Sequence, residues 1–90
     1  MQKNIRVKFS KNFLKSINKL SEPQVVQLKN RLELFKIDPT HPTLNNHKLK
    51  GKLKGRFSIN ITGDIRAIYR LENNGNVIKF SRLGSHSQLY

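Results

Sequence analysis

The 90-residue chain contains no cysteine and no tryptophan. Without cysteine it can form neither a disulfide nor a thiolate metal site, so packing alone must hold a domain of this size together. Its five acidic residues and three histidines are scattered with no metal-ligand spacing, which argues against a bound metal, and no cofactor is expected. No apolar run approaches the roughly 20 residues that span a bilayer, and the start is polar rather than signal-like. A cytoplasmic protein without a membrane segment is the expectation. The length suits one small domain, residues 1–90, with a single core.

What the chain has in excess is positive charge. Eighteen Lys and Arg against five acids give a formal net charge of +13. Such a balance says little about fold and favours a polyanionic partner. An anionic membrane surface would call for a helix with one basic and one strongly apolar face, and the basic residues are densest elsewhere.

Ile5, Val7 and Phe9 alternate with Arg6 and Lys8, the period-2 pattern of a short strand. Ser10 reads as the N-cap of a helix carrying Phe13, Leu14, Ile17 and Leu20, with Lys11, Lys15 and Lys19 on its other face. Ser21-Glu22-Pro23-Gln24 is a second helix start, a Ser cap followed by an early proline and a Gln. Val25, Leu28, Leu32 and Phe35 follow at helical spacing, and Asp38-Pro39 marks the stop. Residues 40–46 read as loop. Phe57, Ile59 and Ile61, then Ile65, Ala67, Tyr69 and Leu71, then Val77 to Leu83 predict three antiparallel strands, turned at Thr62-Gly63-Asp64 and Asn73-Asn74-Gly75. The fold class is therefore α+β: an N-terminal strand, a two-helix hairpin and a three-stranded meander, giving a four-stranded sheet with helices on one face. The opposite face is left more polar and open to a partner.

Between loop and meander, Lys48, Lys50, Lys52, Lys54 and Arg56 alternate with Leu49, Gly51, Leu53, Gly55 and Phe57. If extended, this stretch presents five positive charges on one side. It lacks the Walker pattern of a nucleotide P-loop, and no nucleophile-elbow motif appears anywhere.

RNA cleavage asks for less. The 2′-hydroxyl is a built-in nucleophile, so a protein need supply a base, an acid and positive charge near the phosphate. Histidine suits either proton role, its reference pKa lying near 6.5. His86 follows the last strand and His47 opens the lysine-rich stretch; His41, between Thr40 and Pro42, reads as an ordinary loop residue. Asp64 is the only acid between Asp38 and Glu72, and either serves its turn or takes part in proton transfer. Arg66 and Arg70 are candidate phosphate contacts from a strand, and Tyr90 is either a tail residue or a platform for a base.

The run His47-Lys48-Leu49-Lys50-Gly51, then Gly55-Arg56, then Asp64-Ile65-Arg66-Ala67-Ile68-Tyr69-Arg70, and the tail Arg82-Leu83-Gly84-Ser85-His86-Ser87-Gln88-Leu89-Tyr90 resemble the RelE/ParE toxin superfamily. The branch most resembled is YafQ, whose members end in a similar Gly-x-His-x-x-Leu-aromatic tail. The resemblance covers nearly the whole chain. It implies a toxin of a type II toxin–antitoxin pair, a metal-independent endoribonuclease that cuts mRNA on the ribosome. It places catalysis on His86, Asp64 and His47. It places substrate positioning on Tyr90; the charge pattern itself makes Lys50, Lys52, Lys54, Arg56 and Arg66 the expected contacts to the RNA backbone, and Asn60 can hydrogen-bond a phosphate or a base. Asn60 stands where the YafQ pattern has a second histidine, and asparagine cannot exchange protons near neutral pH. The implied partners are a cognate antitoxin, mRNA and ribosomal RNA, with operator DNA reached only through the antitoxin complex. Two rivals stand beside it: a ParE-like gyrase-binding toxin, which shares the fold and the basic charge but has no need of His86, and a non-catalytic module that binds RNA or the ribosome.

Overall fold

The computed structural model describes residues 6–90, so Ile5 of the first expected strand lies outside it. The elements run β1 (Arg6–Phe9), α1 (Lys11–Ile17), α2 (Glu22–Ile37), β2 (His47–Lys48), β3 (Arg56–Asn60), β4 (Ile65–Glu72), β5 (Val77–Ser85) and α3 (His86–Leu89). The sheet has five strands in the order β1-β5-β4-β3-β2. β1 lies parallel to β5 and every other pairing is antiparallel. The fifth strand, absent from the four-strand expectation, is β2. Two residues are too few to show a period.

Both long helices start as their sequences dictate. The Ser10 side chain accepts the Phe13 N–H at 3.0 Å, while its hydroxyl donates to the Ser81 carbonyl at 2.9 Å, which pins α1 beside β5. Ser21 and Gln24 form a reciprocal capping box at the start of α2, with proline in its first turn. Leu14, expected on the apolar stripe of α1, is half exposed, because this seven-residue helix turns Phe13 rather than Leu14 onto the sheet.

Helices α1 and α2 cover the sheet face that carries Val7, Phe9, Phe57, Ile59, Ala67, Tyr69, Ile78 and Phe80. An aromatic layer lies at its centre: the Phe80 ring stands 5.4–5.8 Å from those of Phe9, Phe13, Phe35 and Tyr69. Rings at such separations attract through their quadrupoles as well as through buried area.

The other sheet face is basic. Register aligns Lys8, Lys79, Arg70 and Arg56 in one row across four strands. Arg82 with Ile68 and Ser58, then Arg66 with Asn60, form the next rows along. A bulge between Ile68 and Tyr69 sets this pattern, leaving Ser81 unpaired so that Tyr69 faces Phe80 and Ile68 faces Arg82. Glu72 is the acid on this side, and it holds Arg70 at 2.9 Å.

The extended lysine run does not form. Gly51 and Gly55 adopt φ of +65° and +90°, and Gly51–Leu53 winds into a 3-10 turn. A left-handed residue reverses the chain locally, and glycine takes it without a steric penalty. The Leu49 N–H reaches the Arg56 carbonyl at 2.9 Å, so residues 49–56 form a closed loop at the sheet margin. The five charges therefore do not share one side.

Among the described residues, no helix is long and apolar enough to cross a membrane.

Candidate active site at the sheet margin

Four of the residues singled out in the sequence meet in one cleft. His47, Arg66, His86 and Tyr90 line it together with Asn45 and Leu49, enclosing about 320 Å³. Three local devices place them.

His47 is the first residue of β2, paired with Ser58 of β3. Ahead of it Asn45 takes a left-handed conformation (φ 45°) that asparagine tolerates, which turns its carbonyl toward the ring. His47 Nδ1 lies 2.7 Å from that carbonyl oxygen. A carbonyl only accepts, so Nδ1 carries the proton and the neutral ring keeps its lone pair on Nε2. Asn46 ties the same loop to the core: its side-chain oxygen accepts the Tyr69 hydroxyl at 2.9 Å and its amide donates to the Pro39 carbonyl at 3.0 Å. Burial pushes the Tyr69 phenol up from its ordinary value, and the Asn46 hydrogen bond opposes part of that rise.

His86 and Tyr90 come from the chain end, which is not a free tail. Strand β5 runs on to Ser85, and Ser85 with Gln88 builds a second capping box that starts α3. The Ser85 N–H meets Gln88 Oε1 at 2.8 Å, and a Cβ on Gly84 would sit 2.8 Å from that same oxygen. Glycine at 84 is thus what lets the box close. Leu89 is buried beneath the turn. The one-turn helix brings the His86 and Tyr90 rings to 4.6 Å, tilted by 45°.

Arg66 projects from β4, but part of its guanidinium is engaged. Nη1 donates to the carbonyls of Thr62 and Gly63, both at 3.0 Å, and so clamps the turn that carries Asp64. Thr62 Oγ1 accepts the N–H groups of Asp64 and Ile65 at 3.2 and 2.9 Å. Asp64 is exposed on this turn and is not among the residues that line the cleft. Asn60 pairs with Arg66 across the strands, and its Oδ1 is buried with no hydrogen-bond partner among the described residues. The hydroxyl of Ser58, two residues earlier on the same strand, is likewise buried and unpaired.

Lys50, Lys54 and Arg56 line a separate cleft beyond Leu49, and Lys52 lies exposed on the 3-10 turn between them. His41 caps the short Pro42–Leu44 turn, its Nδ1 accepting the Thr43 N–H at 3.1 Å. Among the described residues, no group of three His, Cys, Asp or Glu side chains could hold a metal ion.

Sequence reasoning missed Asn45 and the row Lys8–Lys79–Arg70–Arg56. The signal for the first was the Asn-Asn pair. The row depends on a parallel pairing and a bulge that carry no local signature.

A five-stranded sheet with a helical hairpin on one face is the fold of RelE-like toxins. The crystal structure of YafQ from E. coli strain BL21(DE3) superposes with a TM-score of 0.79 at 21% identity, covering 96% of this chain and 98% of that one. YafQ in the E. coli DinJ-YafQ toxin-antitoxin complex gives 0.78 at 22% identity, covering 97% and 98%. The archaeal RelE-RelB complex from Pyrococcus horikoshii OT3 gives 0.73 at 22%, covering 94% and 98%. No curated protein sequence matches the chain. The family described as "Bacterial toxin of type II toxin-antitoxin system, YafQ" matches residues 3–90, and the chain belongs to that family.

Proposed function

We propose that this toxin is a ribosome-dependent, metal-independent endoribonuclease acting in the cytoplasm, and that a cognate antitoxin holds it silent. The observation that carries the reading is the convergence of two histidines, an arginine and an aromatic ring in one cleft beside a basic sheet face. His47 offers a lone pair on Nε2 and takes the proton of the ribose 2′-hydroxyl. The oxygen attacks the adjacent phosphorus, the bond from phosphorus to the 5′-oxygen breaks, and His86 delivers a proton to that leaving oxygen. The products are a 2′,3′-cyclic phosphate and a 5′-hydroxyl. The remaining guanidinium edge of Arg66 faces the charge that builds on the phosphate. Tyr90, its ring tilted against that of His86, supports a base. Asn60 lies beside Arg66 on the neighbouring strand, and its buried Oδ1 would reach a ribose hydroxyl or base amine only after its side chain turns outward. Asp64, exposed on the turn that Arg66 clamps, is the alternative proton acceptor.

Lys50, Lys52, Lys54, Arg56 and the cation row of the open face attract RNA backbone, which makes binding steeply salt-dependent. The crystal structures of similar toxins in complex with DinJ and RelB support an antitoxin partner of this chain, and operator DNA would be met only through that complex.

End-labelled mRNA on programmed ribosomes tests the proposal. Wild-type protein should cut it without added metal, and His86→Ala should slow the single-turnover rate by about 10²- to 10⁴-fold, the usual contribution of a positioned acid or base. Equal rates would remove His86 from the chemistry. Intact RNA beside inhibited DNA supercoiling would replace the nuclease by a gyrase-binding toxin.

A further inference from the structure

Leu49 is a shared wall: the histidine cleft lies on one side and a larger cleft of about 540 Å³ on the other. That volume is in the range of small-ligand sites. Its floor is apolar, made by Leu49, Phe57 and Leu71, and its rim carries Lys50, Lys54 and Arg56. No carboxylate and no histidine is among its lining residues. It is therefore equipped to bind an anion and has no group suited to moving a proton near neutral pH.

The floor has a flat element. The Phe57 ring is stacked on the Tyr69 ring at 5.0 Å with 10° between their planes, and Tyr69 is in turn wedged against Phe35 and Phe80. Phe57 is thus held in place by the core on one side while it lines the cleft on the other. Leu71 leaves 48% of its surface exposed beside it. Gly51 and Gly55 have open space where a side chain would stand, so the mouth is unobstructed.

We infer that this second cleft binds one nucleotide flanking the scissile bond. The base would lie on Phe57 and Leu71, and the phosphate would meet Lys50 and Lys54 at the rim. The assignment rests on the nuclease reading and adds a base-reading subsite to it. An acidic, leucine-bearing peptide would meet the charge and the apolar floor, but not the fixed planar ring. A nucleotide meets all three, since stacking on an aromatic face suits every base.

The test separates binding from cleavage. Labelled protein is titrated with the four nucleoside 5′-monophosphates, with ribose 5-phosphate and with an alternating Glu-Leu peptide, and followed by NMR. The monophosphates should shift the Leu49 and Leu71 methyls and the Phe57 ring, while ribose 5-phosphate should bind about tenfold more weakly and leave the Phe57 ring unmoved. Leu71→Glu, at an exposed position that spares the core, should weaken the monophosphates by about tenfold or more with an unchanged circular dichroism spectrum. On programmed ribosomes it should raise KM, leave kcat in place and alter the base preference at one position beside the cut. Ribose 5-phosphate binding as tightly as the nucleotides would overturn the inference, and so would shifts produced by the peptide alone. Nucleotide binding in a protein that never cuts RNA would sink the nuclease reading while leaving this cleft a nucleotide site.

Discussion

The aromatic layer and the sheet margin are held by different forces. In the layer, Phe80 is fully buried and faces four other rings. At the margin, β2 has two residues and α3 has four, lengths that have no stability of their own in water. They stay in place through polar clasps: Asn45 to His47, Asn46 to Tyr69, and Ser85 with Gln88. The contrast teaches that the fold and the chemistry can be damaged separately. Apolar burial makes the platform, and a handful of directional bonds aim the reactive side chains.

The largest expected effect comes from removing the centre of the layer. Phe80→Ala should cost about 3–5 kcal/mol, a large part of the roughly 5–15 kcal/mol that a small domain has. A thermal melt followed by circular dichroism should show a much lowered midpoint or no folded baseline. His86→Ala does the converse, abolishing most cleavage while its melt stays within a degree or two of wild type. A matching fall in both quantities for either variant would erase the distinction.

The same division explains what could be read from the sequence. Both long helices were legible because each pairs a cap with an apolar stripe. The meander was legible because alternation and Asn73-Asn74-Gly75 are local signals, and Asn73, Asn74 and Gly75 all take positive φ. Short pieces were not. β2 has no period, and α3 was overlooked although Ser85 and Gln88 repeat the spacing of Ser21 and Gln24. The lysine alternation misled because glycine occupies two of its apolar positions, and glycine there turns the chain. The gathering of His47, Arg66, His86 and Tyr90 into one cleft followed from no spacing, since it depends on β2 pairing with β3 and α3 packing against β5. The family resemblance had named His47, His86 and Tyr90, and the strand pattern had offered Arg66; the resemblance gave Asp64 no less weight than His47, and Asp64 is not among the residues that line the cleft.

The two capping boxes offer a finer comparison, because one motif serves both regions. Ser21→Ala should lower global stability by about 1 kcal/mol and leave the cleavage rate unchanged, since α2 carries no cleft residue. Ser85→Ala should move the melt less, as only one turn depends on it. It should nonetheless slow cleavage by about tenfold, a loss of roughly 1.4 kcal/mol in transition-state stabilisation, through misplacement of His86 and Tyr90. Urea denaturation beside the ribosome assay gives both readings. A Ser85→Ala protein with full activity would mean that Leu89 alone seats the helix.

The smallest effect concerns the bond that joins the two regions, from the Tyr69 hydroxyl to Asn46 at 2.9 Å. Tyr69→Phe keeps the ring stack and deletes the clasp, which should cost about 1 kcal/mol near pH 7. Its pH dependence identifies the cause. Burial raises the phenol above its unfolded value, which is near 10. The folded state therefore favours the protonated form, so this contribution is fully present below about pH 10 and declines as the pH climbs toward the folded value. The wild-type advantage over Tyr69→Phe should accordingly be constant from neutral pH to about pH 9 and shrink at higher pH. Urea unfolding of both proteins across that range measures it. If the gap holds steady into the alkaline limb, the hydroxyl ionises as freely in the folded protein as in the unfolded chain, and Asn46 is held at the margin by Pro39 rather than by the core.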